Sequence, residues 1–64
     1  MNEEYTLELY RNDGTHEKQI DVFDTYEQAD AFAESNPADE NHYYSIFCIE
    51  YDKDGNEINS YPVY

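Results

Sequence analysis

Positive charge is what this sequence lacks most. Arg11, Lys18 and Lys53 are its only lysines and arginines, against 16 Asp and Glu, for a formal net charge of −13. Direct contact with nucleic acid needs a basic footprint, and so does attachment to an anionic membrane surface; neither is expected here. Cysteine is nearly missing as well. Cys48 stands alone, so no disulfide can close within the chain. The two glycines both fall in turn motifs, which leaves none for a phosphate-cradling loop. No apolar run approaches the roughly 20 residues of a membrane span. The acidic start, Met1-Asn2-Glu3-Glu4, is followed by no apolar stretch of the secretory kind. The expected location is the cytoplasm.

Length sets a further limit. The chain has 64 residues, enough for one domain, 1–64. A chain of this size buries only about 60% of the surface it exposes when unfolded. It has little room for a deep pocket of a few hundred Å³ beside a core. An enzyme is disfavoured on these grounds.

Aromatic residues, by contrast, are abundant: eight Tyr and three Phe. Disordered acidic tails are poor in such residues, so the chain is expected to fold despite its charge. Tyr5, Leu7 and Leu9 alternate with Thr6, Glu8 and Tyr10, the pattern of a half-buried strand over 5–10. Asn12-Asp13-Gly14 reads as a turn, and a second strand runs over 15–23. Asp24 with Glu27, or Thr25 with Gln28, has the spacing of a helix capping box. Tyr26, Ala29, Phe32 and Ala33 follow at helical spacing, and Asn36-Pro37 stops the helix. Residues 38–42 form an acidic loop. Residues 43–51 make the most apolar strand, carrying apolar groups on both faces. Asp52-Lys53-Asp54-Gly55-Asn56 repeats the first turn chemistry, and a last strand runs over 57–64 with Ile58, Pro62 and Val63.

The expected fold is α+β, in the order β-β-α-β-β. The first and third strands are the most apolar and take the centre. Lys18 and Pro62 mark the second and fourth strands as edges. The sheet order is then 2-1-3-4, antiparallel, with one helix on one face.

Catalytic and metal-binding patterns are weak. Cys48 lies inside an apolar strand, where a thiol behaves as a small hydrophobe, so neither His16 nor His42 is expected to activate it. Asp52, Asp54, Asn56 and Glu57 crowd one turn with oxygen ligands. A calcium loop needs Gly at its sixth position and Glu at its twelfth, and here Gly55 is fourth. His16, His42 and Cys48 have no zinc spacing. No cofactor or metal is expected.

The acidity is the remaining signal. Glu27, Asp30 and Glu34 share one helix face, and Asp24, Asp39 and Glu40 extend it at both ends. Like charges at this spacing oppose the helix. An ordinary soluble surface mixes signs, and this one does not. Two uses fit: a partner surface for a basic protein, mimicking nucleic acid, or solvation in high salt. In size and composition the chain resembles small acidic inhibitors carried by phages, which act on nucleases, glycosylases and restriction enzymes without catalysis. That likeness implies a basic, nucleic-acid-binding partner and carries no site residues with it.

One short helix covers one face of such a sheet, so aromatic surface should remain open. Tyr10, Tyr43, Phe47, Tyr51 and Tyr61 are the pool for it, and exposed aromatic patches mark interaction sites. The leading expectation is a non-enzymatic acidic module, a monomer or weak homodimer, that blocks a basic protein. The helix face and the Asp39/Glu40 loop supply charge, and Tyr residues add apolar contact. The rival expectation is an interaction domain that binds through its sheet face or edge, with acidity serving solubility alone.

Overall fold

Alternation in the first segment becomes a ten-residue strand, β1 (Asn2–Arg11), in the computed structural model, which describes residues 2–63. Strand β2 (His16–Phe23), helix α1 (Tyr26–Ser35), strand β3 (His42–Tyr51) and strand β4 (Glu57–Pro62) complete the fold. The strands form one antiparallel sheet in the expected order β2-β1-β3-β4.

Several boundaries differ from the sequence reading: β1 runs on to Arg11, β2 starts at His16 and β4 ends at Pro62. β1 begins at Asn2, because Asn2, Glu3 and Glu4 pair with Tyr51, Glu50 and Ile49. His42 opens β3 opposite Arg11 instead of ending the loop. The expected end of the last strand, Tyr64, lies outside the described residues.

The two hairpin turns are one design used twice. The Gly14 amide donates to the Arg11 carbonyl at 2.8 Å and the Gly55 amide to the Asp52 carbonyl at 3.1 Å. Gly14 (φ 92°) and Gly55 (φ 85°) take the left-handed conformation that a side chain resists. Asp52 Oδ1 accepts the amides of Asp54 and Asn56, so the crowded carboxylate helps hold its own turn.

Helix α1 uses the Thr25 arrangement for its cap. Thr25 Oγ1 accepts the Gln28 amide at 3.2 Å, and Gln28 Oε1 accepts the Asp24 and Thr25 amides in return. At the other end the Asn36 amide and side chain both donate to the Phe32 carbonyl. Between the caps, Ala29 is fully buried on Leu7 and Ile46, and Phe32, Ala33 and Tyr26 pack around them.

Register decides which residues share a side. Phe23, Tyr5, Cys48 and Tyr61 form one row across all four strands. Asp21, Leu7 and Ile46 form the next row, and Lys18, Leu9 and Tyr44 the one after. These rows face the helix. Rows between them face away: Val22, Thr6, Phe47 and Pro62, then Gln19, Glu8 and Ser45, then His16, Tyr10 and Tyr43. The helix packs on β1, β2 and β3 and makes no contact with β4. Part of the helix side therefore stays open beside β4.

Both edge strands are irregular. β2 departs from regular pairing at two places, and β4 does so at one, where Ile58 is left out of register and more than half exposed. Bulges of this kind twist an edge and discourage further strand addition.

Candidate protein-binding surfaces

The helix side carries an acidic surface larger than the sequence pattern alone indicated. Glu27 and Glu34 are exposed and Asp30 is half-buried. None of them ion-pairs with a cation among the described residues, whose pairs are Arg11–Glu17, His16–Glu8 and His42–Asp39. Beside α1, Glu3 stands directly opposite Glu50 on the neighbouring strand. Like charges directly opposed across a ladder are destabilising. The Tyr5 hydroxyl is raised above its ordinary value, chiefly by the Cys48 thiol beside it and to a lesser degree by the negative charges of Glu3 and Glu27. Asp24 joins Glu3 and Glu4 around a hollow at the same end of the sheet. Lys18 is on the helix side too, in the row of Leu9, away from this end.

Glu3 and Glu50 had been missed in the sequence. No alternation marks Asn2-Glu3-Glu4, and only the β1–β3 register shows that Glu3 meets Glu50. The loop pair differs from the helix carboxylates. Asp39 accepts from the Asn41 amide at 2.9 Å and bonds the His42 ring at 2.7 Å. The His42 imidazole holds the Asp39 carboxyl below its usual range. The Glu40 carbonyl accepts from the Asn12 side chain, which fastens this loop to the first hairpin turn.

The tyrosines divide. Tyr10 and Tyr43 stack at 5.5 Å on the open side of the sheet, and Tyr51 lies on that side as well, in the row of Asn2. Tyr61 lies on the helix side, across from Cys48, and is 39% exposed. The Cys48 sulfur beside its hydroxyl pushes Tyr61 up to about 12. Thus Tyr61 alone among the expected contact tyrosines shares a side with the helix carboxylates. Tyr10, Tyr43 and Tyr51 belong to a second surface, with the sheet between the two.

That second surface has its own hollow, about 310 Å³, over Thr6, Phe47 and Ile49. Glu8 and His16 stand at its margin, joined at 2.8 Å, and Glu57 stands near the β4 edge. Thr6 is polar yet only 4% exposed, buried on the face that no helix covers.

The thiol has no imidazole in reach. Cys48 is 1% exposed and lies six positions along β3 from His42, roughly 20 Å at about 3.3 Å per residue. His16 is on the other side of the sheet. The nearest carboxylate to the sulfur is Glu3, at 3.5 Å.

Comparison of the chain with protein-family models, with curated proteins and with solved structures returned no match. No helix among the described residues is long and apolar enough to cross a membrane.

Proposed function

We propose that this protein is a non-catalytic binding module whose helix side occupies the basic site of a nucleic-acid-binding protein. The observation that carries this reading is the acidic surface running from α1 onto the sheet, whose helix carboxylates ion-pair with no cation among the described residues. Glu27, Asp30 and Glu34 span about 10 Å of helix axis at about 1.5 Å per residue. That equals the axial rise of roughly three phosphate steps on one strand of duplex. Glu3 and Glu50 widen the strip, and Tyr61 offers an aromatic contact within it. A fixed array of carboxylates attracts and steers a basic groove as a phosphate backbone does. The composition shared with small phage-carried inhibitors supports a blocking role. The lone, reduced Cys48 suits the cytoplasm.

The test is retention of host proteins on the immobilised domain, eluted first by salt and separately by DNA or RNA. Nucleic-acid-binding proteins should be released by both. The variant E27K/D30K/E34K should retain none of them while keeping the native spectrum. Retention that survives both salt and nucleic acid, or that survives the triple reversal, would count against the helix side. Cys48→Ala and His42→Ala should leave the retained set unchanged.

A second reading is favoured by the open sheet face, where Tyr10, Tyr43, Phe47 and Ile49 have no covering element among the described residues. There the acidity would serve solubility, and the contact would be aromatic.

A further inference from the structure

Glu8 is in an unusual position for a carboxylate on an uncovered sheet face. Its side chain is only 13% exposed, flanked by Gln19 on β2 and Ser45 on β3. A carboxylate withdrawn this far from water is costly unless a charge or strong donors compensate it. Its ion-pairing neighbour among the described residues is His16, 2.8 Å from Oε1 and itself about half exposed. The Glu8 side chain lines the mouth of the hollow and keeps a small part of its surface open to solvent.

The hollow beside it mixes apolar side chains with the polar Thr6, Gln19 and Ser60. Thr6, Phe47 and Ile49 line the hollow, Tyr10 stands over it, and Glu57 is at the far margin. Tyr10 is fixed by its stack on Tyr43 and its edge contact with the His16 ring at 5.2 Å. A bed of Phe47 and Ile49 with a half-desolvated carboxylate at one end and a second carboxylate beyond it suits one chemistry well. A long aliphatic stem can lie on Phe47 while a flat cationic head reaches Glu8. Guanidinium combines a planar fork for carboxylate with affinity for aromatic faces, and it is more weakly hydrated than ammonium.

We propose that the hollow on the open sheet face is a docking slot for an arginine carried on an extended segment of a partner protein. The arginine pairs with Glu8 over Phe47, and the segment runs past Ile49 toward Glu57. The net charge of −13 favours such a cationic segment over a second copy of this chain, whose single arginine is already paired to Glu17. This slot is on the opposite side of the sheet from the helix carboxylates, so it stands whether or not the helix-side reading holds.

The test is an amide-shift titration of the isotope-labelled protein at about physiological salt, where exposed charges are screened. The probe is a blocked peptide alternating arginine with valine, set against the same peptide with neutral citrulline. Saturable shifts centred on Thr6, Glu8, Phe47 and Ile49, given by arginine and lost with citrulline, are expected. Glu8→Gln, which keeps the shape, should weaken binding by about tenfold, since a hydrogen bond to a charged group is typically worth about that factor or more. E57Q, at the edge and remote from the core, should weaken it less, and E27K/D30K/E34K, on the other side of the sheet, should change it less than Glu8→Gln does. Shifts spread over helix and turn carboxylates without saturation, equal response to citrulline, or no response would each overturn the slot. So would concentration-dependent shifts at Thr6 and Phe47 with a dimer in sedimentation, which would assign the face to self-association.

Discussion

Leu7 and Ile46 are the only large aliphatic side chains with no exposed surface among the described residues, and they face Ala29 across the helix–sheet boundary. A core this small has no redundancy. Leu7→Ala should cost about 2–5 kcal/mol, the usual range for such a truncation. That is comparable with the whole stability expected of a domain this size. The expected outcome is a chain largely unfolded at room temperature by circular dichroism; a cooperative melt near the wild-type midpoint would show that the core lies elsewhere. Tyr61 offers a second residue-scale check. Its folded-state value, pushed up to about 12 by the Cys48 sulfur, lies above the ordinary tyrosine value near 10. Its stabilising contribution is therefore complete below about pH 10 and is lost as pH rises toward 12. In an absorbance titration the last phenolate step should appear near 12 and should be missing in Tyr61→Phe.

The helix shows how local signals become an element. Its cap is a reciprocal pair, Thr25 with Gln28, and Thr25→Ala should cost about 1 kcal/mol in a denaturant titration. A loss within error would place the helix boundary elsewhere. This element was legible in the sequence because capping, a 3.6-residue apolar stripe and the Asn36-Pro37 stop all agree. The strand order was legible too, from the apolar ranking of the strands and the edge signals at Lys18 and Pro62. The split of the tyrosines was not. Alternation fixes parity within one strand, but which parity meets the helix on β4 depends on pairing across β3, and the irregular register at Glu50/Tyr51 interrupts it. Tyr61 was therefore grouped with Tyr10, Tyr43 and Tyr51, and the sheet separates them. The opposed pair Glu3/Glu50 was hidden for a related reason: nothing in a run of acidic residues reports its cross-strand neighbour.

At the scale of the whole molecule, the described residues form a slab 40 × 23 × 15 Å. A net charge of −13 on so small a body means that most carboxylates feel one another with little positive charge to offset them. Salt should therefore stabilise the fold. The melting midpoint should rise between about 10 mM and about 1 M sodium chloride, over which the screening length falls from about 30 Å to about 3 Å. Neutralising Glu27, Asp30 and Glu34 to Gln, Asn and Gln should raise the midpoint at low salt and matter less at high salt. A flat salt response would remove the premise that the acidic surface is held at a cost. The slab also separates two surfaces, a charged helix side and an aromatic open side, so a flat partner of the proposed kind would engage one or the other.

The central claim is that the helix side does the binding, and one comparison tests it most directly. The wild-type domain and E27K/D30K/E34K, both shown to be folded, are immobilised and challenged with the same host lysate. The bound fraction is then displaced with nucleic acid. The account predicts that the wild type releases nucleic-acid-binding proteins on displacement and that the reversed variant retains none. Equal retention by both would contradict it and move the binding site to the open face of the sheet.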